Sequence, residues 1–180
     1  GFYKGVTPIE LARAYAVLAD NGRYKEYTTI RRIENSYGIT VYESKRKKTQ
    51  VISEETAFII SDILQDTVKS GTATKLKELN IPLAAKTGTV QLPDIKEFSG
   101  INGLKDSWIT AYNPQYVVTV WMGYDHVDKN QYLPPDALGG ISPAEIAKKV
   151  FAFLYRDRKP PTFQKPLKVV EAKLDAKALW

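Results

Sequence analysis

Three stretches of the chain repeat apolar residues at helical spacing. Leu11, Tyr15 and Leu18 follow Thr7-Pro8-Ile9-Glu10, in which a threonine cap, a proline at the first helical position and a glutamate three residues on spell a capping box. Asp20-Asn21-Gly22 ends that helix. A second helix is predicted to open at Ser53-Glu54-Glu55, to turn Phe58, Ile59, Ile63 and Val68 toward a core, and to stop at Ser70-Gly71-Thr72. The third repeats the first one's signature, with Ser142 as cap, Pro143 after it and Glu145 at the third position. Its expected apolar face is Ile146, Ala147, Val150, Phe151 and Leu154.

Between the helices the pattern is that of strands. Residues 28–33 and 39–42 are β-rich and joined through Asn35-Ser36-Tyr37-Gly38, a hairpin signal, and the polar run 43–50 reads as a surface loop. Residues 83–90 read as a strand. Residues 107–112 and 116–122 read as a tight antiparallel hairpin about Asn113-Pro114-Gln115. Two connections, 91–106 and 124–141, are long for a compact domain; they flank the same strands and so predict one rim of a cleft.

Composition narrows the function classes. The apolar share is 43% in 180 residues, which fits one globular domain. The formal charge of +6 is concentrated at the end, where residues 156–180 carry seven Lys/Arg against three acids. Such a tail either is simply solvated or faces an anionic surface such as a membrane or a cell-wall polymer. The body is nearly neutral, and nothing interleaves aromatics with basic residues as nucleic-acid modules do, so no nucleic acid is expected as a partner. With no cysteine there is neither a disulfide scaffold nor a thiolate metal site. One histidine, His126, can build neither a histidine metal cluster nor a Ser-His-Asp triad and reads as a loop residue. No apolar run approaches the roughly 20 residues that span a bilayer. Gly1-Phe2-Tyr3-Lys4 is not a signal peptide, so export and anchoring signals are expected outside the chain. Trp108 and Trp121, on the hairpin strands, read as core residues, and Trp180 has no role to assign.

The chemistry lies in Lys86-Thr87-Gly88-Thr89. Side chains alternate along a strand, so Thr87 and Thr89 share one side and Lys86 takes the other. Gly88 lets a ligand backbone approach and pair with the strand. Two hydroxyls and an ammonium suit a substrate carboxylate, and a strand N–H can serve an oxyanion. The other reading of the tripeptide alone is a strand with a snorkelling lysine.

Its surroundings resemble a family. Gly5-Val6-Thr7-Pro8-Ile9-Glu10-Leu11-Ala12 with Ala14-Tyr15-Ala16, Ser70-Gly71-Thr72-Ala73, Lys86-Thr87-Gly88-Thr89, Lys105-Asp106-Ser107-Trp108, Val120-Trp121-Met122-Gly123-Tyr124 and Gly139-Gly140 occur in the order found in class A penicillin-binding proteins. The chain resembles the C-terminal half of their transpeptidase domain, from about residue 5 to 154. The resemblance implies an α+β fold, an antiparallel sheet packed with helices, to which this chain gives the last three strands, the final helix and part of a helical subdomain. It implies that Lys86 is the catalytic lysine of the third motif, that Thr87 and Thr89 hold the carboxylate of a stem peptide or β-lactam, that the Thr89 N–H is half of the oxyanion hole, and that Gly88 keeps the edge open. No cofactor is implied. The sequence departs from the family pattern at Ala85 and Val90, where a glycine and a small hydroxyl residue are common.

Two motifs of the reaction are absent. No S-x-N occurs, and the one S-x-x-K match, Ser44-Lys45-Arg46-Lys47, lies in a charged run where solvent keeps the lysine protonated. The expectation is therefore a fragment. Residues 1–155 form the half of the domain without the nucleophile, partnered by a missing N-terminal half. Residues 156–180 form a Pro-rich basic linker and the start of an extension. The parent would be a serine D,D-transpeptidase on the extracytoplasmic face of the cell membrane, held there by an absent N-terminal anchor. The alternative is a non-catalytic peptide- or cell-wall-binding module that keeps the same strand.

Overall fold

The computed structural model describes residues 5–172. Helix α1 (Pro8–Ala19) begins as its sequence predicts. The Glu10 N–H donates to the Thr7 hydroxyl at 3.4 Å and the Glu10 carboxylate accepts from the Thr7 N–H at 2.8 Å, completing the capping box. These bonds, the backbone one first, hold the Glu10 carboxyl below the usual carboxylate range. The helix stops where Asn21 and Gly22 take φ of 51° and 84°. Gly22 has no room for a side chain, because the Ile52 carbonyl fills that space while the Val51 N–H donates to Gly22 O at 3.0 Å. That junction makes the run 43–50 more than a loop: β4 (Lys48–Gln50) pairs antiparallel with β1 (Arg23–Lys25). Three-residue strands with alternating charge carry too little apolar periodicity to be read from sequence.

The hairpin after it is present but shorter, β2 (Arg32–Glu34) against β3 (Thr40–Glu43), with Asn35 accepting from the Tyr37 and Ile39 N–H groups to shape the turn. Residues 28–30 are diverted from the strand by Thr28, whose hydroxyl bonds the Ile30 backbone in both directions.

Strands β5 (Ala84–Gln91), β6 (Leu104–Tyr112) and β7 (Val117–Gly123) form one antiparallel sheet in that order. On one face Ala85, Ile109, Ala111, Val118 and Val120 meet Leu76 of a short 3-10 helix (Thr74–Leu79) and Ala144, Ala147 and Phe151 of α3 (Ser142–Leu154). On the other, Ala84, Tyr112 and Val117 meet Tyr15, Leu18 and Ala19 of α1 and Leu64 of α2 (Glu54–Lys69). The fold is α+β, with a sheet between helical layers.

Two expected helix faces are corrected. In α2 the sheet receives Ala57, Ser61, Leu64 and Val68, whereas Ile59 is 47% and Ile63 61% exposed. The helix is apolar on two sides, and the small residues turn inward because the sheet lies close. In α3, Ile146 and Val150 likewise face outward while Ala144, Ala147 and Phe151 are buried. Ser142 is the first helical residue and not the cap; Ile141 occupies the cap position without a side-chain bond, since the chain enters through the turn in which Ile141 and Ser142 both donate to Leu138 O. Beyond α3, residues 159–172 have no helix or strand, yet Phe163 sets its ring edge-on to Tyr112 at 5.9 Å and Arg158 donates to the Tyr116 hydroxyl at 2.9 Å. The remainder of the expected extension, 173–180, lies outside the described residues.

Tyr112 ties the two helices of one layer to the sheet. It is fully buried, and its hydroxyl lies 2.9 Å from Ser61 Oγ. Ser61 gives its one proton to Ala57 O at 2.8 Å, so Tyr112 is the donor to Ser61. Burial pushes its pKa up to about 12 from 10.0. A folded pKa above the unfolded one means stability is intact below pH 10 and is lost as pH climbs toward 12. Urea unfolding between these limits should show a loss of about 2–3 kcal/mol. In Tyr112→Phe that alkaline slope should be reduced, and an unchanged slope would mean the phenol is not desolvated.

Candidate functional site

β5 is the edge of the sheet, and its outer side meets side chains instead of a strand. The Thr67 hydroxyl donates to Ala85 O, and the Lys86 ammonium curls back to donate to Thr87 O at 2.7 Å. In an antiparallel ladder a residue's N–H and C=O point to the same side. Ala85 and Thr87 thus face the free edge with their backbone, and by the same alternation so does Thr89. The Thr89 N–H is therefore presented outward, while Gly88 pairs toward Trp108 of β6. The expected split of side chains holds: Lys86 and Gly88 line a cleft, and Thr87 and Thr89 rise from the other face.

The cleft has a volume of about 730 Å³ and lies between the sheet and the start of α1, which contributes Thr7, Leu11 and Tyr15. Its floor is aromatic. Trp108 and Trp121 are directly opposed across β6 and β7, with ring centroids 6.1 Å apart, and both are only partly buried. This corrects their reading as core residues: they are the cleft's wall. Asp106 accepts from Trp121 Nε1 at 2.9 Å and fixes the indole. The rim is built by the two long connections, which meet where Leu104 and Leu133 exchange backbone hydrogen bonds of 2.8 and 2.9 Å. No serine lines the cleft among the described residues, and Ser44 lies elsewhere, just past β3 with its N–H on Arg31 O. His126 is exposed in its loop.

Two further segments press on β5. The turn that ends α2 places Thr72 Oγ1 2.8 Å from Thr87 Oγ1. Gly139 is buried on the strand pair itself: a Cβ there would lie 2.8 Å from Gly88 O and 3.2 Å from Gly88 N, and would overlap Trp108 O. Gly140 is as tight against Thr72 O. The geometry is that of an extended-ligand edge carrying one cation, two hydroxyls and an outward N–H, beside an apolar cleft. It can bind a carboxylate and polarise a carbonyl, but it offers no activated nucleophile of its own.

The family model described as the penicillin binding protein transpeptidase domain matches residues 1–152. The chain belongs to the penicillin-binding protein transpeptidase family. It is 36% identical over 151 residues to penicillin-binding protein 1F of Bacillus subtilis, a match covering 83% of the chain and 20% of that protein. It is 33% identical over 178 residues to penicillin-binding protein 1A/1B of the same organism, covering 95% and 19%. The chain thus spans about a fifth of the length of these curated relatives. Among solved structures, penicillin-binding protein 1A of Haemophilus influenzae superposes with a TM-score of 0.74 at 23% identity, over 94% of this chain and 29% of that one. PonA1 of Mycobacterium tuberculosis gives 0.72 at 23%, over 89% and 41%. The transpeptidase sheet and its covering helices are therefore the fold of this chain.

Within this transpeptidase sheet, sequence reasoning missed the roles of Thr72, Trp108, Trp121 and Asp106. Period-two alternation places Asp106, Trp108 and Thr110 on one face, but which face is the Lys86 face follows only from the pairing of Gly88 with Trp108. Gly139→Ala should cost about 1–3 kcal/mol, because two backbones cannot move apart without breaking the β5–β6 ladder. Gly88→Ala, whose Cβ would meet only the Trp108 Cβ at 3.3 Å, should cost less than about 1 kcal/mol. Denaturant unfolding of the two variants checks this, and equal losses would refute the close packing of the 139–140 turn on β5.

Proposed function

We propose that this chain is the substrate-carboxylate and oxyanion side of a class A penicillin-binding protein transpeptidase site, within a protein that cross-links peptidoglycan stems. The observation that carries the reading is Lys86-Thr87-Gly88-Thr89 on an unpaired sheet edge beside a serine-free cleft. In this reading the serine and its base come from a preceding half of the same domain, seated over the cleft. Three unpartnered surfaces support such a neighbour: the Ile59-Ile60-Ile63 stripe of α2, the outer edge of β7, and the aromatic wall.

The reaction follows from that placement. The terminal carboxylate of a D-Ala-D-Ala stem accepts hydrogen bonds from the Thr87 and Thr89 hydroxyls. This lays the stem along β5 as an added strand, with its scissile carbonyl at the Thr89 N–H. The serine oxygen attacks that carbonyl carbon, its proton passes to the departing amine of the last D-Ala, and an ester remains. An amine of a neighbouring stem then attacks the ester, returning the serine its proton and leaving a new amide. Lys86, projecting into the cleft, supplies positive charge where the serine loses its proton. A β-lactam carries the same carboxylate beside a strained amide, and acylates by the first half of this sequence. A complex of PonA1 with penicillin V is among the superposable structures, with a TM-score of 0.70. Residues 156–172 run on from the domain as a linker, and the parent acts outside the cell membrane.

A non-catalytic peptide- or wall-binding module using the same edge is the second reading, and the free strand edge is what favours it. Intact mass after incubation with penicillin separates the two. The chain alone should gain no mass. The chain joined to its preceding half should gain one penicillin, and Lys86→Ala in that protein should slow acylation about 10²- to 10³-fold. No acylation of the longer protein would leave the binding module as the function.

A further inference from the structure

Thr87 is not a free hydroxyl. Its Oγ1 is 2.8 Å from that of Thr72, fifteen residues earlier, and its methyl faces Gly140, whose Cβ position lies 3.8 Å from Thr87 Cγ2. The rotamer is thereby sorted, methyl to one side and hydroxyl to the other. Thr72 in turn is held firmly. Gly71 and Ala73 both donate to Thr67 O, at 3.2 and 2.9 Å, a Cβ on Gly71 would come within 2.7 Å of Thr67 Cα, and the Thr72 carbonyl abuts Gly140. Thr67 itself is bonded to Ala85 O, so the turn is stitched to β5 at alternate residues of the strand.

The proton count gives this pair a direction. A hydroxyl has one proton and two lone pairs, and the pair can run in either sense while nothing else is bound. When a carboxylate arrives it takes the Thr87 proton, and the Thr87 oxygen then needs a donor. Thr72 is placed to be that donor, and a hydrogen bond received by Thr87 polarises the one it gives. From this geometry we infer that Thr72 is a positioning residue for carboxylate recognition: it fixes Thr87 as the donor to the substrate or β-lactam carboxylate and does not touch that carboxylate itself. The inference rests on the transpeptidase reading above and extends it to a residue in the turn after α2.

The test uses the protein in which this chain is joined to its preceding half, with a fluorescent penicillin and the methyl ester of the same penicillin as probes. Thr72→Val should lower the second-order acylation constant for the free acid roughly three- to tenfold, the worth of one neutral hydrogen bond. It should leave the ester's constant unchanged within about twofold, because a neutral ester places no such demand on Thr87. Thr72→Ser should restore the free-acid constant. Thr72→Val combined with Thr87→Val should be no slower than Thr87→Val alone, since Thr72 acts through Thr87. Thr72→Val without effect overturns the inference. An equal loss for acid and ester overturns it in favour of a merely structural role, and a double variant slower than Thr87→Val overturns it in favour of direct contact. If the unsubstituted protein takes neither probe, the transpeptidase reading falls and this inference with it, a result distinct from labelling that ignores Thr72.

Discussion

A strand that must leave one edge open cannot be held by two ladders, and the rest of this structure answers that constraint. β5 has a single partner strand, and its other edge must stay free if anything is to pair with it. Its position is therefore fixed from its faces. On one face Gly139 brings the backbone of a distant loop onto Gly88 and Trp108, a closeness that only glycine allows on both chains. Along the edge, Thr67 takes up the Ala85 carbonyl that a neighbouring strand would have used. Both devices spend little of the edge, and the part from Thr87 onward remains available.

This division explains what sequence could and could not reveal. Helix α1 was legible to the residue, because its capping box and glycine stop are local chemistry. The β6–β7 hairpin was legible for the same reason: Asn113 accepts from the Gln115 and Tyr116 N–H groups and shapes its own turn. The motif strand and the alternation of Lys86 against Thr87 and Thr89 followed from period two alone. What failed was everything decided between elements. Ile59 and Ile63 looked like core because they are isoleucines at helical spacing, but the sheet took the small face with Ala57 and Ser61. Lys48–Gln50 looked like loop because its pairing with Arg23–Lys25 is set by contacts at Gly22, far from its own composition. Trp108 and Trp121 looked like core because aromatics on strands usually are.

The exposed apolar surfaces are consistent with one another once the sheet is drawn. α2 buries its small face and shows isoleucines outward; the cleft shows two tryptophans; β7 shows an unpaired edge. Each by itself is an ordinary surface feature, since much of any protein surface is apolar. Together with a match to a fifth of the relatives' length, they fit a body whose cohesion is completed by more chain, and they need no second function to explain them.

The alternation along β5 then gives the site its logic. Because successive side chains leave opposite faces, the lysine and the threonines cannot crowd one another, although they are adjacent in sequence. The cation looks into the cleft, where in the proposed reaction a proton must leave a serine. The hydroxyls look to the face where an anion is to be held, and Gly88 leaves the backbone between them unobstructed. The curl of Lys86 onto the Thr87 carbonyl joins these two sides, since the group that serves proton transfer is bonded to the residue that serves the carboxylate. A ligand that pairs with the edge competes for that carbonyl and turns the ammonium toward the cleft. Binding along the strand and charge at the nucleophile are thereby coupled through one backbone oxygen.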